Sequence, residues 1–348
     1  MKTKQLALFF LVQLFCIVNV TAQQDNPVEY MNMIEKAEEE ANQKYLAYVS
    51  TAAHSGRVKK IERMRQQVLD GIVSSRNKVI GLPLFKGDKA LWQSSIDYLK
   101  LLYLVFSEDY AKIVNMEDIA EQSFNEMQAY LLLQEKTSEK LAEASEKRRV
   151  ATKEFAARNN VQLVDGGTNE FAEKMNKASD VVEYRNVVYL LFFKCNWQWN
   201  EMNKAIKTNK VTDIEQARNA VITYAKDGLA VLDTMKNFSG DPSLANACKY
   251  ALNQFKRMSE NDVPKMTDFI LKNENFEKVK KSFDSKPQRD RTQQDIDAYN
   301  KAVNEMNAAV NTFNSTGKFI GDTQSNIINT YNKADKDFAD RHTPYFKK

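Results

Sequence analysis

The sequence predicts an all-α protein, an elongated multi-helix bundle with long coiled-coil-like helices, built from two similar tandem units packed together. Three observations predict it. Ten Gly and six Pro in 348 residues leave too few turn formers for sheets, while Ala, Glu, Lys, Met, Gln and Leu, the better helix formers, abound. Apolar residues recur at spacings of three and four along most of the chain, the period of an amphipathic helix. A short corner is written twice, as FKGDKAL at 85–91 and FSGDPSL at 238–244.

The first segment has another character. Lys2 and Lys4 precede an apolar run from Leu6 to Val20, followed by Thr21 and Ala22, which reads as a secretory signal peptide over 1–22 cleaved after Ala22. The run is short for a membrane span, which needs about 20 apolar residues. Cys16 would allow lipid attachment, but Phe15 stands where lipoprotein processing needs a small residue, so that reading is disfavoured. The mature chain would have 326 residues, divided as a first helical unit over 23–165 and a second over 166–348.

The first helix is expected from Asn26 as N-cap and Pro27 at the first helical position, with Glu29 placed for a capping box. Ile34, Ala37, Ala41, Tyr45, Tyr48 and Ala52 line one face, and the helix stops near Gly56. A second runs from about 58 to 80 through Ile61, Met64, Val68, Ile72 and Val79. Asp88 is expected to cap a third, carrying Leu91, Tyr98, Leu102, Val105 and Phe106. The stretch 108–160 reads as helical with a break at Asn115, where Glu117 and Asp118 suit a first turn.

Gly166 and Gly167 mark the clearest connector. A long helix follows over about 169–207, then shorter ones near 212–236 and 242–260, with Pro242 at the first position of the latter. Around NDVPKMTDF and FDSKPQRD the chain is expected to be irregular with a short helix between. The last helix has the longest period: Ile296, Tyr299, Val303, Met306, Val310, Phe313, Gly317, Ile320, Gln324, Ile327, Tyr331, Ala334 and Phe338 make a heptad seam roughly 65 Å long at 1.5 Å per residue.

The duplicated corner fixes an offset of 153. It also brings Ile61, Glu62, Arg65 and Val68 onto Ile214, Glu215, Arg218 and Val221. Eight of the 31 positions from 61 to 91 are identical to their counterparts, against about two expected from ordinary residue frequencies. That agreement predicts the tandem units.

Site chemistry is sparse. His54 and His342 are the two histidines, and neither has the Glu three residues earlier that a helical di-metal site uses. No zinc spacing, nucleophile elbow, phosphate loop or dinucleotide fingerprint is present. The sequence therefore predicts no enzyme, no catalytic, cofactor-binding or metal-binding residue, and no cofactor. Glu108, Asp109, Glu117 and Asp118 concentrate acid, yet lack the alternating oxygens and turn glycine of a calcium loop. YLLFFKCNWQW at 189–199 places Phe192, Cys195 and Trp199 on a core face, with Trp197 off it. Cys195 and Cys248 are either a disulfide or two small buried side chains.

A formal charge of +4, with acids and bases interspersed, is no nucleic-acid footprint. After the first segment no apolar run spans a bilayer; VVYLLFF at 187–193 lies between Arg185 and Lys194.

EDYAKIVNMEDIAEQSFNEMQAYLL at 108–132, RTQQDIDAYNKAVNEMN at 291–307 and FADRHTPYFKK at 338–348 resemble an uncharacterised family of exported helical surface proteins of bacteria. The resemblance implies a periplasmic or cell-surface location and no activity. The expected function is a non-enzymatic envelope scaffold or binding module with an unknown protein or envelope partner. The alternatives are a membrane-acting helical protein resembling pore-forming toxins, which would insert VVYLLFF or YLKLLYLVF, and a binder of a small apolar or peptide ligand.

Overall fold

A computed structural model describes residues 26–55, 58–110, 124–163 and 170–346. Most of the described residues are helical and none lies in a named strand: α1 (Pro27–Ser55), α2 (Val58–Ile80), α3 (Ala90–Leu104) running into a π-turn (Val105–Asp109), α4 (Phe124–Arg158), α5 (Glu170–Lys207), α6 (Val211–Thr234), α7 (Ser243–Asn261), α8 (Val263–Ser285), a single 3-10 turn (Gln288–Asp290) and α9 (Gln293–His342). None of these helices is long and apolar enough to cross a membrane. The expected signal peptide with Cys16, the break at Asn115 and the connector at Gly166 and Gly167 lie outside the described residues.

The chain divides into two compact units, residues 1–186 with 337–348 and residues 187–336. In the first, α1 begins as its sequence predicts. Asn26 Oδ1 accepts the amides of Val28 and Glu29 at 3.0 and 3.4 Å, satisfying two of the four amides a helix start leaves free. α1 then buries Ala37, Ala41, Tyr45 and Tyr48 against Val68, Ile72 and Val79 of α2 and Leu99, Leu102 and Phe106 of α3 and its π-turn, and Ile34 in a second cluster with Phe85, Leu91 and Phe155. Glu38 and Arg148 form a buried ion pair, with Arg148 Nε donating to Glu38 Oε1 at 3.0 Å and Arg148 Nη1 also donating to Thr152.

The second unit has a more apolar interior. Trp199 and Phe192 of α5 pack on Phe255 of α7, and Phe192 stacks on Tyr331 of α9 at 3.9 Å. Gly228 on α6 lies close against α7: a Cβ would stand 2.7 Å from Leu252 Cδ1, the end of a side chain that would have to shift.

Burial repeats at fixed spacing. α2 buries Val68, Ile72, Ser75 and Val79, and α6 buries Val221, Ala225, Gly228 and Leu232, each 153 positions later. Leu91, Ser95, Leu99, Leu102, Val105 and Asp109 are buried, and so are Leu244, Cys248, Leu252, Phe255, Met258 and Asp262 at the same spacing. Ile34, Ala41, Tyr45 and Tyr48 of α1 have buried counterparts 154 positions on, in Val188, Cys195, Trp199 and Met202 of α5.

The structure corrects four local expectations. The stretch after α7 is not irregular: only Asp262 separates α7 from α8, which runs 23 residues. Pro264 sits in the first turn of α8, where its missing N–H leaves no bond unmade. Asp88 is not the N-cap of α3; that position is Lys89. Asp88 stands one residue earlier and accepts the Ala90 amide at 2.8 Å. Pro242 likewise precedes α7 instead of opening it. Along the first half of α9 the fully buried residues are Ala302, Ala309 and Thr316, one position ahead of the predicted Val303, Val310 and Gly317, which are half-buried. Small side chains sit on the line of closest helix approach, and larger ones flank it.

Candidate functional site

Both repeated corners are tight turns. Phe85 and Asp88 pair across a tight turn whose central residues, Lys86 and Gly87, have φ of 51° and 79°. Phe238 and Asp241 pair across Ser239 and Gly240, at 47° and 80°. In each the aspartate amide donates to the phenylalanine carbonyl at 2.8 Å, and its carboxylate accepts the amide two residues on at 2.8 Å. Positive φ at both central positions is the primed turn of a hairpin, which favours glycine. Phe85 and Leu91 close over the first corner, packing with Tyr30 and Phe155, and Arg158 donates to Asp88 at 2.9 Å.

The acidic stretch at 107–118 offers no cage in its described part. Asp109 is buried in the π-turn and takes Lys140 at 2.7 Å, Glu108 is exposed, and Glu117 and Asp118 lie outside the described residues. Among the described residues no three His, Cys, Asp or Glu side chains converge as metal ligands. The π-turn instead opens an aromatic nest. Phe106 packs edge-on to Tyr45 and Tyr48 at 5.2 and 5.7 Å and stacks on Tyr110 at 4.6 Å. Arg65 donates to the Phe106 carbonyl at 2.6 Å. Burial holds the hydroxyls of Tyr45, Tyr48, Tyr98 and Tyr110 above the usual phenol range, so they stay protonated.

Phe192, Cys195 and Trp199 are in the core, where their spacing puts them, and Trp197 is half-buried. Cys195 and Cys248 are free thiols. Burial pushes Cys195 up to about 12 and Cys248 further, which suppresses the thiolate that redox or nucleophilic chemistry needs.

Two places on the first unit remain. One is a cluster that no spacing rule finds. His54, at the end of α1, donates from Nδ1 to Asp340 Oδ1 at 3.0 Å, and its ring stacks on Tyr345 at 3.8 Å. Phe346 N donates to Ser50 Oγ at 3.2 Å. Partners 286 residues apart leave no local sequence signal. A carboxylate orienting an imidazole is half of an acid–base device, but His54 Nε2 is sealed from solvent, so the arrangement fastens the C-terminal residues to α1.

The other is an open trough along the exposed face of α1 and α2. Lys78 divides it. Its ammonium donates to Glu40 Oε2 at 2.7 Å, where Ser74 Oγ also donates at 2.7 Å, and these two bonds lower the carboxyl of Glu40. On one side lies a depression of about 680 Å³ containing Asp70, Val73 and Asn77; on the other, one of about 490 Å³ containing Met33, Lys36 and Gln43. Met33 and Val73 are 42% and 41% exposed. An exposed apolar side chain among polar ones on either side of a charge pair can meet an extended amphipathic segment. Periodicity told the sequence reading which faces α1 and α2 bury; it did not single out the opposite face as a binding surface.

No protein-family model, curated protein or solved structure matches this chain.

Proposed function

We propose that this chain is an exported, non-enzymatic helical scaffold or binding module of the bacterial envelope, built from two similar tandem units. The observation that carries the binding reading is the α1–α2 trough, where Met33 and Val73 stand exposed about the Glu40–Lys78 pair. The tandem reading is supported by the two corners of matching geometry and by buried stripes that recur at 153 and 154 positions. Fourteen further positions matched in burial add support beyond the Gly-Asp turn itself.

The ligand class the trough suits is an amphipathic segment of a protein partner, with apolar side chains over Met33 and Val73 and polar groups at Glu40 and Lys78. Photo-crosslinking in intact cells tests this. A photoreactive residue at Val73 is expected to give a discrete adduct that Met33→Glu abolishes, while the same residue at exposed Leu132 of α4 gives none. No adduct at Val73, or one indifferent to Met33→Glu, overturns the reading. Export is tested separately: the N-terminus of the protein recovered from its source is expected at Gln23.

A further inference from the structure

In the second unit, the distal part of α8 and the start of α9 form an antiparallel arm. From 271 to 301 no residue is buried. The two helices hold one another along a single narrow stripe, with Phe276 and Phe283 on Tyr299 at 6.2 and 4.6 Å. The tip is well built. Asp295 accepts Lys286 at 2.5 Å and both the amide and hydroxyl of Thr292 at 2.9 and 2.8 Å, and Arg291 covers the Phe283 ring at 4.2 Å. Between Lys278 and Arg291 stand six basic and two acidic residues, and the whole arm from 271 to 301 carries eight basic and six acidic, a net +2. Lys278, Lys280 and Lys281 are exposed within one turn and make no ion pair among the described residues. Arg289 is 87% exposed, with the Asp290 carboxylate 3.7 Å away.

We propose that this tip docks on an anionic membrane surface, with Lys278, Lys280, Lys281 and Arg289 set against lipid phosphates. Charge complementarity identifies the partner. Each Lys or Arg close to an anionic leaflet contributes about 1 kcal/mol, within a Debye length of about 8 Å at physiological salt. An arm without buried residues can bring its tip that close. The contact is mainly electrostatic: the arm's exposed large hydrophobic residues are Leu271, at its base, and Ile296, next to Asp295, and Phe283 is already covered by Arg291. The inference does not depend on the α1–α2 trough.

Co-sedimentation of the purified protein with vesicles tests it. Binding is expected to vesicles of phosphatidylcholine with about 30% phosphatidylglycerol, and not to phosphatidylcholine alone, and it should be lost at about 1 M salt, where the Debye length is about 3 Å. The combined variant Lys278→Gln, Lys280→Gln, Lys281→Gln, Arg289→Gln should keep its helical circular dichroism and lose affinity at least about tenfold. Removing exposed charge elsewhere, with Lys318→Gln and Lys336→Gln, should change it less than about twofold. Failure to bind anionic vesicles, equal binding to neutral ones, or a fourfold-substituted variant that binds as well as the parent overturns the proposal. So does retention on heparin without vesicle binding, which would mark a different polyanion as the partner.

Discussion

At the scale of single residues, protonation and backbone angle decide what can change. Tyr45, Tyr48, Tyr98 and Tyr110 have hydroxyls raised by burial above the value they hold in the unfolded chain. A group raised in this way contributes stability that is fully present below the unfolded value near 10 and lost as pH climbs toward the folded one. Stability to urea is therefore expected to fall above about pH 10, and tyrosinate absorbance from these four should emerge together with the loss of ellipticity. The corners make a second prediction. Gly87 and Gly240 have φ of 79° and 80°, and a Cβ would meet nothing within 4 Å at either. The cost of Gly87→Ala or Gly240→Ala is then backbone strain alone, about 1–2 kcal/mol in each case, and equal urea midpoint shifts should result. The glycine and aspartate of each corner were legible as a turn. The one-residue displacement of Asp88 was not, because an aspartate serves equally well as N-cap or as acceptor of a turn just before the helix. His54 and Asp340 were illegible as a pair for the simpler reason that spacing rules act within an element.

At the scale of elements, helix positions follow from periodicity wherever one face is fully buried, as in α1, α2, α6 and α7. α8 escaped because Pro264 and the KPQRD stretch read as breakers at both ends, and its outer half carries only a narrow half-buried stripe, Phe276, Val279 and Phe283, among lysines and acids. A helix that needs only one neighbour displays little pattern. Packing between elements is sharper. Arg148 of α4 and Glu38 of α1 are buried as an ion pair, which is costly to break from one side. Arg148→Ala should destabilise by about 3–5 kcal/mol, because it strands a buried carboxylate, whereas Glu38→Met with Arg148→Leu should fall within a few kcal/mol of the parent on either side. Chemical denaturation of the two variants distinguishes an interaction that stabilises from one that mainly fixes how α4 sits on α1.

At the scale of the whole molecule, two compact units share helices: α5 and α9 each pass from one unit into the other. The arm is the part most nearly separable, since nothing from 271 to 301 enters either core. Replacing the arm, residues 272–300, with a flexible linker should keep the helical circular dichroism of the other helices. Vesicle binding should vanish with it. The all-helical class was legible from composition alone, because turn formers are scarce across the chain. The positions of the arm and trough were not, since both are defined by what the core leaves uncovered. The tip also determines how the protein meets proteases. Its connection between Ser285 and Thr292 holds Arg289 in a single 3-10 turn and Arg291 just past it, outside the long helices, while Lys286 is followed by Pro287, a bond that trypsin leaves intact. A brief digest is expected to nick the chain after Arg289 or Arg291 ahead of any bond within the packed helices, leaving fragments that remain associated until denatured. On an anionic bilayer the same two bonds would be shielded, so the rate of that single cut reads out whether the tip is engaged.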